Sequence, residues 1–161
     1  MEADPIDQLQ RDWARQRPDL DHAAIGVVLR IDLLARLLNE RAQERLRKCG
    51  LEWWQYDALS ALRRQGAPWR LPATRLAEQV RLTSGALTHR VDRLEALGWV
   101  SREQDPRDRR RVMVSLTKRG RAAVDRATAA RFEVAAEAVR GLDDEERRTI
   151  DGLLRELLQA Q

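Results

Sequence analysis

Thr83-Ser84-Gly85-Ala86-Leu87-Thr88-His89-Arg90-Val91-Asp92-Arg93-Leu94-Glu95-Ala96-Leu97-Gly98 is the stretch on which the fold turns. Leu87, Val91, Leu94 and Leu97 recur at the three- and four-residue spacing of a single helix face. Thr83 or Ser84 can cap the start by accepting an orphan backbone N–H, and Gly98 can take the left-handed conformation that closes a helix. Upstream, residues 72–80 place Leu76, Ala77 and Val80 on one side of a shorter helix, with only a short polar turn between the two. Two short helices joined by a tight turn make a helix-turn-helix. Downstream, residues 99–102 and 111–116 read as strands, the second alternating Val112, Val114 and Leu116 with Arg111, Met113 and Ser115. Between them Gln104-Asp105-Pro106-Arg107-Asp108-Arg109-Arg110 combines turn formers with dense charge and is expected to project as a hairpin loop, the wing.

Working outward, residues 5–16 carry Ile6, Leu9 and Trp13 at helical spacing, and Arg17-Pro18 ends that run because a residue before proline avoids the helical region. Val28, Ile31, Leu34, Leu38 and Ala42, widened by Ile25, Leu29 and Ala35, mark a long helix over 20–47, with Gly50 its stop. A third helix over 53–64 uses Tyr56, Leu59 and Leu62. After Thr117, Val124, Ala127, Ala130, Val134 and Ala138 predict a long helix that breaks at Gly141. Asp143 followed by Glu146 looks like a variant capping box opening a last helix with Ile150, Leu153, Leu154, Leu157 and Leu158 on one side. The expected fold is mainly α with a small two- or three-stranded β wing. A winged helix-turn-helix region at 50–120 is flanked by helices at 1–49 and 121–161. A small winged core cannot cover all these apolar stripes, so the flanking helices are expected to form a dimerisation domain with a second copy.

The 161 residues suit one compact domain. No apolar run exceeds the seven residues from Ala23 to Leu29, far short of the ~20 that span a bilayer. The opening Met-Glu-Ala-Asp-Pro has neither the basic nor the apolar region of a signal peptide, so a cytoplasmic protein with no membrane partner is expected. Cys49 is the sole cysteine, which excludes an intrachain disulfide, and with only His22 and His89 no metal site and no cofactor are expected. Phosphate loops, dinucleotide fingerprints, zinc-protease helices and nucleophile elbows are missing, which argues against an enzyme and leaves no catalytic residue to assign. Charge points elsewhere: residues 101–121 hold eight basic side chains against three acidic ones in a chain whose net charge is only +4. A field of one sign at a helix-turn-helix wing implies a polyanion, and double-stranded DNA is the partner such a motif fits.

A helix enters the major groove with its front residues against the base edges. Here these are Thr83, Ser84, Gly85, Ala86, Thr88, His89 and Arg90, with Arg93 further along to meet phosphate and the wing residues Asp105, Arg107, Arg109 and Arg110 beside them. The run from Leu76-Ala77-Glu78 through Thr83 to Val100, with Asp105-Pro106-Arg107-Asp108-Arg109-Arg110 and Val114-Ser115-Leu116-Thr117, resembles the MarR family of bacterial transcription regulators. The resemblance implies that Arg107 inserts into the minor groove, that Asp105 orients it, and that a homodimer reads a pseudo-palindromic operator. Trp13, Asp57, Arg90 and Arg102, with the added first helix, resemble the urate-responsive branch of that family. A tryptophan can stack on a flat ring and an arginine can clamp an anion, so the implied regulator is a repressor released by urate or a related aromatic anion. The alternatives are a MarR-like regulator answering another aromatic acid, one answering an oxidant through Cys49, and a winged-helix protein-interaction module.

Overall fold

Asp4 and Asp7 settle where the chain first becomes helical. In the computed structural model, which describes residues 3–161 except the side chain of Arg109, α1 (Pro5–Gln16) opens on a capping box. The Asp4 carboxylate accepts from the N–H groups of Ile6 and Asp7, and the Asp7 carboxylate accepts from the N–H of Asp4. A long helix, α2 (His22–Lys48), follows, and the chain leaves it through Gly50 at φ 79°. Two compact units make up the chain, one reaching to Arg41 and the other Ala42–Gln161. Within the first, Arg30 of α2 donates to Asp4 at 2.8 and 3.1 Å and to Asp7 at 2.6 Å. The acids that cap α1 therefore also fasten it to α2, and this bonding to Arg30 holds the Asp4 carboxyl below the ordinary carboxylate range.

The second unit adds α3 (Trp53–Arg63), β1 (Arg70–Pro72), α4 (Ala73–Gln79), α5 (Ser84–Ala96), β2 (Val100–Asp105), β3 (Asp108–Leu116), α6 (Lys118–Ala138) and α7 (Asp144–Gln159). Its sheet is antiparallel in the order β1-β3-β2, with Val114 opposite both Leu71 and Arg102. Leu59 and Leu62 of α3, Leu76 of α4, Leu94 of α5, Val100 and Val114 of the sheet and Val124 of α6 are sealed from solvent and make one core. Each such side chain is worth roughly 1.5–3 kcal/mol of burial. Thr117 locks three elements at one point: its hydroxyl donates to the Gly98 carbonyl at 2.7 Å and accepts from the Gly120 N–H at 3.0 Å, capping α6. Gly120 must be small, because a Cβ there would sit 1.9 Å from the Trp99 carbonyl oxygen.

The winged-helix expectation is met, with two local corrections. Pro72, expected to open the helix over 72–80, instead ends a strand, because Arg70, Leu71 and Pro72 pair along the edge of β3, where proline's missing N–H is harmless. The wing is also a tighter hairpin than its composition suggests. Pairing continues through an irregularity at Gln104/Asp105 until only Pro106 and Arg107 remain as the turn. Among the described residues no helix is long and apolar enough to cross a membrane.

Candidate nucleic-acid interface

The core fixes which side of α5 faces outward. With Leu87, Val91 and Leu94 buried, the opposite face presents Thr83, Ser84, Gly85, Ala86, Thr88, His89 and Arg93 to solvent, with Arg90 half-buried at the edge. Thr83 is the cap, its hydroxyl accepting from the Ala86 N–H at 3.4 Å. Thr88 donates its hydroxyl to the Ser84 carbonyl at 2.9 Å and so keeps its oxygen as an acceptor. A Cβ at Gly85 would meet no atom within 4 Å, so the fold itself has no need of a glycine there.

At the wing tip, the Asp105 carboxylate accepts from the Arg107 N–H at 2.9 Å, and Asp108 accepts from the Arg110 N–H at 3.1 Å. Asp105 thus sets the backbone from which Arg107 projects, while no carboxylate among the described residues pairs with the Arg107 guanidinium. Arg110 is exposed on β3; the side chain of Arg109 lies outside the described residues. An unpaired, solvated arginine at the apex of a two-residue turn is poised for a groove of negative potential.

Arg102 of β2 joins the wing to α5. Its guanidinium donates to Glu95 at 2.6 and 2.9 Å and to Asp92 at 2.6 Å, and its N–H donates to Glu95 at 3.0 Å. These bonds, to Glu95 first and then Asp92, hold the Arg102 pKa above the ordinary arginine value. Arg102 also lines a cleft of about 230 Å³ with Thr74, Ser84, Thr88, Val91 and Val112. Asp57 and Arg90, although opposite in charge, form no ion pair with each other. Arg90 instead lies over the ring of Trp54, 5.5 Å from its centroid, where Arg93 also sits at 4.9 Å. Asp57 is half-buried on α3 and makes no ion pair among the described residues. Trp13 belongs to the first unit and is about half exposed on α1.

Trp54, Asp92 and Glu95 are the residues that sequence spacing passes over. A ten-residue gap from Asp92 to Arg102 bridges a helix, a turn and a strand, so no periodicity marks it. Cys49 is a half-buried free thiol. Among the described residues no cluster of His, Cys, Asp and Glu could hold a metal ion.

Comparison with known proteins agrees with this geometry. The profile of the MarR family matches residues 51–112, the stretch from the start of α3 into β3. The HTH-type transcriptional regulator PecS of Dickeya dadantii is 28% identical over 92% of this chain and 90% of its own length. A crystal structure of Sco3205, a MarR family transcriptional regulator from Streptomyces coelicolor in complex with DNA, superposes with a TM-score of 0.73 at 27% identity, covering 88% of this chain and 89% of that one. A probable transcriptional regulator from Pseudomonas aeruginosa is 31% identical with a TM-score of 0.61 over 79% of this chain and 96% of its own. Core, wing and relatives together support a MarR-family winged-helix, DNA-binding transcriptional regulator.

Proposed function

We propose that this regulator binds a pseudo-palindromic operator as a homodimer and represses by occupying it. Thr83, Ser84, Gly85, Ala86, Thr88 and His89 read the major groove, Arg90 and Arg93 meet phosphate, and Arg107, set by Asp105 and flanked by Arg109 and Arg110, enters the minor groove. The observation that carries this reading is the unpaired Arg107 on a two-residue turn beside a recognition helix whose outward face is small and polar. A second copy is called for because α7 buries none of its apolar side chains. Two recognition helices related by a two-fold axis then meet half-sites about one helical turn apart. Repression needs only steric exclusion at a promoter.

The trigger in this reading is a flat aromatic anion of the urate type. Arg102 supports it: the same guanidinium holds Asp92 and Glu95 of α5, so an anion competing for it loosens the recognition helix from the wing. Trp13, Asp57 and Arg90 are the further ligand candidates read from the sequence. A coupling of ~1–3 kcal/mol would lower DNA affinity about 5–150-fold.

The test is filter binding of duplex operator across a salt series. Arg107→Ala should weaken binding and flatten the salt dependence by about one unit of slope while leaving the melting temperature unchanged; equal affinity removes the wing from the mechanism. Thermal shifts with urate, xanthine, hypoxanthine and salicylate then rank the ligands, since one that binds only the folded form raises the melting temperature. Undiminished release by urate in Trp13→Phe, Asp57→Ala and Arg102→Ala together would reject the proposed ligand set.

A further inference from the structure

We propose that Trp54 is a positioning residue for DNA binding, a platform that holds Arg90 and Arg93 of the recognition helix ready for phosphate. The proposal rests on the reading that those two arginines meet the DNA backbone. Three observations carry it. Both guanidiniums lie over one indole ring, at 5.5 and 4.9 Å from its centroid, within the range at which the ring quadrupole attracts a cation. Trp54 is itself anchored: it stands in the first turn of α3, whose start is fixed by reciprocal bonding between Glu52 and Gln55, and its ring packs half-buried against the core. Neither arginine has a carboxylate partner among the described residues, although Asp92 stands between them in sequence.

Two guanidiniums drawn towards one ring repel each other, and among the described residues neither is paired with a carboxylate that would offset that repulsion. An incoming phosphate supplies the missing charge. The aromatic face has meanwhile removed much of the rotamer freedom that two long side chains would otherwise lose on binding. Asp92, the acid closest in sequence to both, is drawn away by Arg102 at 2.6 Å, so the pair on Trp54 stays uncompensated. A carboxylate partner would hold an arginine still but neutralise it; an aromatic face holds it still and leaves its charge available.

A double-mutant cycle on the full-length protein tests this, with duplex operator affinity as the readout. Trp54→Leu in the otherwise wild-type chain should weaken binding about tenfold, the scale set by freeing two ordered side chains. In an Arg90→Ala/Arg93→Ala background the same substitution should change nothing further, because its effect runs through the arginines. Trp54→Phe, which keeps an aromatic face, should recover most of the affinity. Equal losses from Trp54→Leu in both backgrounds, or a Phe variant as weak as the Leu variant, would overturn the platform. If Arg90→Ala/Arg93→Ala binds as well as wild type, the assignment of these arginines to DNA fails, and the platform with it. Should Trp54→Leu melt below the assay temperature, Trp54→Phe in the two backgrounds serves instead, with a loss of about twofold expected only where the arginines are present.

Discussion

α5 and α7 are both capped, amphipathic helices of similar length, yet they end in opposite circumstances. α5 seats Leu87, Val91 and Leu94 in the core and turns a small polar face outward. α7 buries nothing: Leu153 stays 56% and Leu158 78% exposed, with Ile150, Leu154 and Leu157 alongside. Sequence periodicity announces the two apolar stripes equally well. It says that a stripe must be covered, not by whom. In α5 the chain's own core covers it, and the free face is left for a partner of opposite charge. In α7 the free face is the apolar one, so its partner must be apolar too, and an identical helix from a second copy satisfies that condition by symmetry.

The sharpest way to break the comparison is to hollow out one side and discharge the other. Leu94→Ala removes a side chain with no solvent exposure and should cost about 2–5 kcal/mol in urea denaturation. Because the cavity lies within one chain's core, the loss should be the same at every protein concentration. Leu153→Asp/Leu157→Asp places two charges on the stripe of α7. It should yield monomers in sedimentation where the wild type should run as a dimer, and lower operator affinity by about a hundredfold, since each half-site is then bound without the effective concentration of its twin. A double variant that remains dimeric would move the interface off α7.

Much of this architecture is legible in the sequence because its signals are local. The bounds of α1, the glycine after α2, the Asp143–Glu146 capping box and the recognition helix from Thr83 to Gly98 all follow from residues within one turn of each other. What escapes is pairing across distance. β1 is three residues long and contains a proline, and only its partner strand makes it a strand. The wing reads as a seven-residue loop because charge and turn formers do not reveal how far a ladder will zip. The candidate site divides in the same way. The outward face of α5 was legible from helical phase, and Arg107 was singled out by the resemblance of the wing to that of the family. Trp54 and the Asp92–Glu95–Arg102 cluster were not, since their partners come from other elements. Asp57 and Arg90 illustrate the hazard: opposite charges suggest a bond, but the nearby indole claims the arginine first.

The caps give the smallest expected effect and the most discriminating one. Thr83 accepts one N–H at 3.4 Å, whereas Asp143 accepts two at 2.9 Å and is bonded in return by Glu146. Judged by these bonds alone, Asp143→Ala should cost more than Thr83→Ala, both within the usual ~0.5–2 kcal/mol. The surroundings of the two helices predict a different pattern. α5 cannot fray without exposing Leu87 and Val91, so the cost of losing the Thr83 cap should appear in full in global unfolding and be indifferent to concentration. α7 has nothing of its own chain to lose, and Asp144, Glu145 and Glu146 still complement the helix dipole in its first turn. Losing the Asp143 cap should therefore be felt only while a second copy holds the helix down. Urea midpoints measured at two protein concentrations about a hundredfold apart make the distinction: the Thr83→Ala shift should be equal at both, and the Asp143→Ala shift should shrink on dilution. An Asp143→Ala shift as constant as that of Thr83→Ala would mean that α7 is covered within its own chain, and the contrast between the two helices would disappear.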